Sequence, residues 1–224
     1  VKVAVVSHRD IAHELGHLEP WLDRIATSGL VRIYREDGLT SSALTGADLL
    51  VVLGSPGSVA TGHCLPPAQG EIELVREWTS SRRPYLGICF GAQVLACALG
   101  GSVHRMQSTY RDYCRLPVAA TAPKALTGPW AIWHADAITS PAAATTHARL
   151  DHADIAFQHD RAWGLQPHIE VTSESLARML AALGVDPADC APIIERMTLD
   201  EASPEPPKVR VAELLEKFEA SAFG

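Results

Sequence analysis

Nowhere in the 224 residues do lysine and arginine gather into a basic run, and the formal net charge is −7. A sequence-independent nucleic-acid binder needs a basic face to neutralise phosphates, so no nucleic-acid partner is expected. No apolar run approaches the length of a membrane-spanning helix, so no membrane partner is expected either. The opening VKVAVVSHRD has too short an apolar segment and no cleavage pattern for a secretory leader. The cysteines, at 64, 89, 97, 114 and 190, form no C-x-x-C pair. An odd, dispersed set points to a reducing cytoplasm rather than a disulfide framework. There is also no G-x-x-x-x-G-K-[ST] phosphate loop, no internal repeat and no low-complexity tract. With 47% hydrophobic and 20% charged residues, the chain has the composition of a globular protein with a full core.

What the chain does have is alternation. VKVAVVS (1–7), VRIYR (31–35), ADLLVVLG (47–54) and PYLGI (84–88) are short apolar runs that read as buried strands. Between them LEPWLDRIATSG and PAQGEIELVREWTSS have helical spacing, and CFGAQVLACALGG reads as a helix stopped by Gly100 and Gly101. Such alternation predicts an α/β fold, a doubly wound and mostly parallel sheet flanked by helices. The second half is less regular. Short strands are expected at CRLPVAA, WAIWHADAI, ADIAFQHD and AWGLQ, then helices near 173–183, 187–197 and 208–221, with a proline-rich hinge at 200–208 before the last.

The most informative stretch is PYLGICFGAQ (84–93). A buried strand runs into Gly87-Ile88-Cys89-Phe90-Gly91 and a helix follows at once. The flanking glycines permit a tight strand-to-helix turn that projects the central side chain from the sheet edge. A helix N-terminus favours thiolate over thiol, as a nucleophilic cysteine requires. Such a thiolate needs a base and a group to orient that base. WGLQPHIEVT (163–172) offers His168 and Glu170, which in a strand-like segment share one side. The glycine-rich VVLGSPGSVATG (51–62) offers backbone N–H donors for an oxyanion, with the Phe90 N–H as a second donor.

Together these segments resemble the class I, triad-type glutamine amidotransferases. LGICFGAQVLACALGG is similar to the family's G-x-C-x-G-x-Q signature. GLQPHIEVT resembles its G-x-Q-F-H-P-E-V motif, with Pro167 for Phe and Ile169 for Pro. LGSPGSV resembles its oxyanion loop, and WHADAI (133–138) its W/S-H-G-D segment, with Ala135 for Gly. The resemblance covers roughly residues 1–180 and implies an amidotransferase-like domain over 1–184, with 185–224 a helical extension packed on it or projecting from it. It implies Cys89 as nucleophile, His168 as base and Glu170 as orienter. It implies an oxyanion hole from the N–H groups of Ser55 and Phe90, and a glutamine pocket lined by Gly57, Gln93, His134, Ala135 and Asp136. The implied reaction releases ammonia from glutamine through a γ-glutamyl thioester and needs no metal or organic cofactor. The acceptor would be bound by a separate synthetase. A stand-alone γ-glutamyl hydrolase or peptidase is the alternative enzyme, and a catalytically silent binding relative the alternative of another class. Pro167, lacking an N–H, predicts that the strand carrying His168 is an edge or locally irregular. The rim loops 8–17, 55–65 and 134–140 are the expected partner surface. The apolar stripe Val211, Leu214, Leu215 and Phe218 is a second contact candidate, or else packs on the core.

One motif competes. HELGH (13–17) has the H-E-x-x-H spacing with which a helix binds zinc. No third ligand follows in LEPWLD, and Gly16 and Pro20 break a helix through both histidines. A loop is expected there, at the rim and touching the acceptor or a partner, with plain solvent exposure the alternative.

Overall fold

Aliphatic runs with no polar alternation dictate strands covered on both faces. The computed structural model describes residues 1–61 and 68–224; Cys64 and the end of the expected 55–65 rim fall outside the described residues. Among the described residues the strands are β1 (Val3–Ser7), β2 (Leu30–Tyr34), β3 (Leu49–Val52), β4 (Tyr85–Ile88), β5 (Ser102–Cys114), β6 (Trp130–Thr139), β7 (Thr145–Leu150), β8 (Ala153–His159) and β9 (Ala162–Leu165). The helices are α1 (Glu19–Ile25), α2 (Ala68–Ser80), α3 (Phe90–Ala98), α4 (Ser173–Ala182), α5 (Pro187–Glu201) and α6 (Pro207–Phe223).

Seven strands form one sheet in the order β2-β1-β3-β4-β9-β8-β7. The pairs from β2 to β9 are parallel, and β8 and β7 close the far side antiparallel. The order reverses between β1 and β3, and in such sheets ligands bind beyond the carboxyl ends of the strands at that reversal. β5 and β6 form a separate antiparallel hairpin, with a register shift between Arg105 and Tyr110.

Two apolar layers cover the sheet. One holds Trp21, Leu22 and Ile25 of α1 and Val211, Leu214, Leu215 and Phe218 of α6. The other holds Ile72 and Val75 of α2 and Val94 and Leu95 of α3. The α6 stripe is thus spent on the chain's own core, each of its four members at most 1% exposed, and is not a partner surface. The helix ends obey local chemistry. Thr172 and Ser175 form a reciprocal capping box on α4, and Asp186 caps α5 ahead of Pro187.

The expected strand at CRLPVAA is corrected. Cys114 ends the long β5, and beyond it Val118 makes only an isolated bridge to Ala148; Pro117 removes a ladder donor from that stretch. The strands at 102–113 and 145–150 have no counterpart in the sequence reading.

At the β4–α3 junction the backbones nearly touch. A Cβ on Gly91 would sit 2.1 Å from the Val52 carbonyl oxygen, and one on Gly87 would sit 2.5 Å from the Gly91 backbone. Gly91→Ala is therefore expected to lower unfolding free energy by about 1–3 kcal/mol or more, the usual range for forced overpacking. Urea denaturation checks this; a loss below about 0.5 kcal/mol, typical of indifferent sites, would mean that α3 moves away freely.

Candidate active site

Cys89 caps the N-terminus of α3 at φ 52° and ψ −106°, a left-handed backbone rare for a residue with a Cβ. The glycine contacts just described enforce this turn. The side chain is 6% exposed and looks into a cavity of about 210 Å³. The thiol lies 3.7 Å from the Trp133 carbonyl oxygen.

The parallel neighbours of β4 bring the other groups. β9 ends at Leu165, and the chain beyond it is irregular, as Pro167 requires; only an isolated bridge to Ala131 anchors His168. The His168 N–H donates to the Ala131 carbonyl at 2.8 Å. Its Nδ1 donates to Glu170 Oε1 at 2.7 Å, which turns Nε2 away from the carboxylate. Both side chains are buried. Burial is the largest single influence on the ring and pushes its pKa down. The attraction of Glu170 and Cys89 together outweighs it, so His168 titrates well above the usual histidine range.

On the other flank, β3 ends in the loop Leu53 to Val59. Gly54 is bare for a reason: a Cβ there would lie 3.0 Å from His168 Cε1 and 3.8 Å from Cys89 Cβ. The next residue, Ser55, lines the cavity with Pro56 and Gly57. Its hydroxyl donates to His8 Nε2 at 2.9 Å and accepts from the Gly57 N–H at 3.0 Å, while His8 Nδ1 donates to Glu36 at 2.6 Å. Phe90 occupies the first position of α3, where a helix leaves its N–H unbonded.

Gln93, His134, Ala135 and Asp136 also line the cavity, but several of their polar groups already have partners. The Asp136 carboxylate is 3% exposed and accepts from the Ser58 hydroxyl, the Ala60 N–H and Arg105. It fastens the β3 loop to β6. Gln93 donates to Gln166 Oε1 at 3.2 Å. His134 donates from Nδ1 to the Asp136 carbonyl at 2.7 Å, so its Nε2 accepts from His152 at 3.3 Å. Burial, then His152 and His168, drive the His134 pKa down to about 4. The ring is neutral at physiological pH.

Ile11, Ala12 and Trp133 line the wall as well, from segments the sequence reading had marked, and Arg105, Thr109, Met179 and Leu183, which it had not singled out, complete it. Arg105 is the last residue paired before the register shift in β5 and Thr109 lies within it, and sequence periodicity carries no signal for a bulge.

HELGH is a loop that enters a single 3₁₀ turn at Gly16, and no zinc helix forms. Among the described residues there is no group of three or more histidine, cysteine, aspartate or glutamate residues suited to a metal ion. Just before the loop, Ile11 and Ala12 of the expected 8–17 rim line the cavity. The loop itself braces Glu170 from behind. The His17 N–H donates to the Glu170 carbonyl at 2.8 Å, and a Cβ on Gly16, at φ 46°, would lie 2.0 Å from that oxygen. Glu14 is held by Arg178 of α4 at 2.6 Å. Replacing His13 and His17 together by alanine should leave the zinc content of the purified chain unchanged. Elemental analysis of protein prepared without added metal checks this, and stoichiometric zinc lost in the double variant would overturn the loop reading.

Comparison with known proteins bears on the family and the fold. A family model described as glutamine amidotransferase class-I matches residues 9–185. The glutamine amidotransferase-like protein YfeJ of Salmonella typhimurium is 26% identical over 194 residues, covering 80% of each chain. A subunit of the glutamine-hydrolysing GMP synthase of Halobacterium salinarum is 31% identical over 146 residues, covering 60% of this chain and 73% of that one. Among solved structures, a glutamine amidotransferase from Thermotoga maritima superposes with a TM-score of 0.79 at 24% identity over 97% of both chains. One from Methylobacillus flagellatus superposes with 0.78 at 20% identity, over 99% of this chain and 94% of that one. The structural likenesses carry the fold, the family match carries the assignment, and the chain belongs to the class-I glutamine amidotransferases.

Proposed function

We propose that this chain hydrolyses glutamine through Cys89, His168 and Glu170 and passes ammonia to an acceptor bound by a separate polypeptide. The observation that carries the reading is the junction of β4 and α3. A strained cysteine faces a cavity shared with a histidine whose ring is bonded to a buried glutamate. The partner is supported by a relative named as one subunit of a glutamine-hydrolysing synthase, and by the lack of a phosphate loop in this sequence.

The chemistry follows from these positions. The Cys89 sulfur attacks the side-chain amide carbon of glutamine, and the C=O bond opens to an oxyanion that the Ser55 and Phe90 N–H groups stabilise. The His168 imidazolium protonates the departing nitrogen, and C–N cleavage leaves ammonia and a γ-glutamyl thioester. Water, deprotonated by His168, then attacks the thioester, releasing glutamate and restoring the thiol. Glu170 holds the ring's tautomer throughout and stabilises its cation.

Cys89→Ser is expected to remove measurable glutamine hydrolysis while leaving the fold intact, read as glutamate release beside a circular dichroism melt. The same assay with the genomic-neighbour synthetase should show stimulation of the parent chain. Fast hydrolysis without stimulation, extending to γ-glutamyl peptides, would replace the amidotransferase reading with a stand-alone hydrolase.

Glu170→Gln removes one of the two attractions that hold the His168 pKa up. The pKa falls, so the imidazolium is lost at lower pH. The alkaline limb of the kcat/KM profile should move to lower pH, with the neutral-pH rate reduced about a hundredfold or more. An unmoved alkaline limb would show that Glu170 does not govern the base.

A further inference from the structure

Arg35 lies directly after β2, and its guanidinium is fully buried. Nε and one terminal nitrogen bind Glu71 of α2 at 2.9 and 3.1 Å, in a two-pronged ion pair. The remaining donors do not go to side chains. One reaches the Gly54 carbonyl and another the Leu53 carbonyl, each at 3.2 Å. The guanidinium carbon also sits 4.8 Å from the centre of the Phe90 ring. A single buried cation therefore grips the peptide preceding the Ser55 N–H and packs on the residue that supplies the Phe90 N–H. These are the two groups read above as the oxyanion hole, and the inference rests on that reading.

We propose that Arg35 is a positioning residue for the oxyanion hole. A trans peptide is one rigid plane with its C=O and N–H opposed, so fixing the Gly54 carbonyl fixes the direction of the Ser55 N–H. A cation on the carbonyl also polarises the amide and makes its N–H a stronger donor. From the opposite side, the chain Glu36–His8–Ser55 holds the Ser55 side chain. The plane is clamped at both ends before substrate arrives, and such preorganisation is what an oxyanion site needs. Glu71 is required because an unpaired buried guanidinium would be costly.

A purely structural ion pair would make the same contacts, so the test separates folding from acylation. In Arg35→Met with Glu71→Leu both charges leave together, and apolar pairs often replace buried ion pairs without loss. Alkylation of Cys89 by iodoacetamide reports thiol access and needs no oxyanion. Acylation by p-nitrophenyl acetate needs the oxyanion but no glutamine pocket. The double variant is expected to fold, to alkylate within about twofold of the parent, and to acylate about a hundredfold more slowly, the usual loss for one oxyanion donor. Glutamine kcat should fall in parallel, with KM little changed. Arg35→Lys, which keeps the charge but not the fork, should show the same split if the double variant fails to fold. Parental acylation in either folded variant overturns the proposal, and so does equal loss of alkylation and acylation. If the parent acylates with the ester in an Arg35-dependent way but ignores glutamine, the glutamine reading falls and the role of Arg35 stands.

Discussion

Everything at the candidate site depends on one cramped passage of backbone, where β4 turns into α3 against the end of β3. Holding Cys89 at a positive φ costs about 1–3 kcal/mol for a residue with a Cβ. The turn persists because its surroundings leave no other path. The Cys89 N–H is bonded to the Leu165 carbonyl at 2.8 Å, and the Tyr85 hydroxyl donates to the Gly91 carbonyl at 2.8 Å. Gly91 meanwhile lies on Val52, so the elbow cannot shift without moving the strand that carries the Gly54–Ser55 loop. Nucleophile and oxyanion loop are parts of one packed unit.

Around that unit, buried polar side chains act as fasteners between loops rather than as a second set of reactive groups. Asp136 ties the β3 loop to β6, and beside these side chains the His17 backbone N–H ties the first loop to the Glu170 carbonyl. Arg35 ties the end of β2 to the end of β3. Hydrogen bonds to charged groups contribute about 1.5–3 kcal/mol each, whereas leaving a buried partner unsatisfied costs the full desolvation of that group. The loops are therefore held by terms that fail together, which suits a site whose parts come from the ends of five parallel strands.

The central sheet was legible because β1, β3 and β4 are fully buried, and burial on both faces writes itself as unbroken aliphatic runs. The elbow was legible because steric demand leaves only glycine at 87 and 91. β5 was invisible for the opposite reason: SVHRMQSTYRDYC has a single buried residue and is interrupted by a bulge, so no period of two survives. Asp136 lines the cavity, but the hold of its carboxylate on Ser58, 78 positions away, is invisible in a motif that shows residue types and not their partners. Arg35 carried no signal at all. As the last residue of VRIYR it looks like a solvated strand end, and its burial depends on Glu71 arriving from a helix 36 residues later. HELGH misleads in the same manner, since spacing counts residues while zinc requires a helix, and Gly16 at φ 46° forbids one.

The position of α6 bears on how the chain comes off the ribosome. Val211, Leu214, Leu215 and Phe218 pack into the layer that includes Trp21 and Leu22, and the Trp21 indole donates to Glu219 at 2.7 Å. During synthesis every strand emerges before α6 does, so one face of a nascent sheet, with Val3, Val5, Leu49 and Val51, lacks that cover until residues beyond 207 are translated. At about 5–20 residues per second this window lasts on the order of ten seconds. How long that face stays uncovered during synthesis is therefore set by α6, far in sequence from any residue of the proposed chemistry.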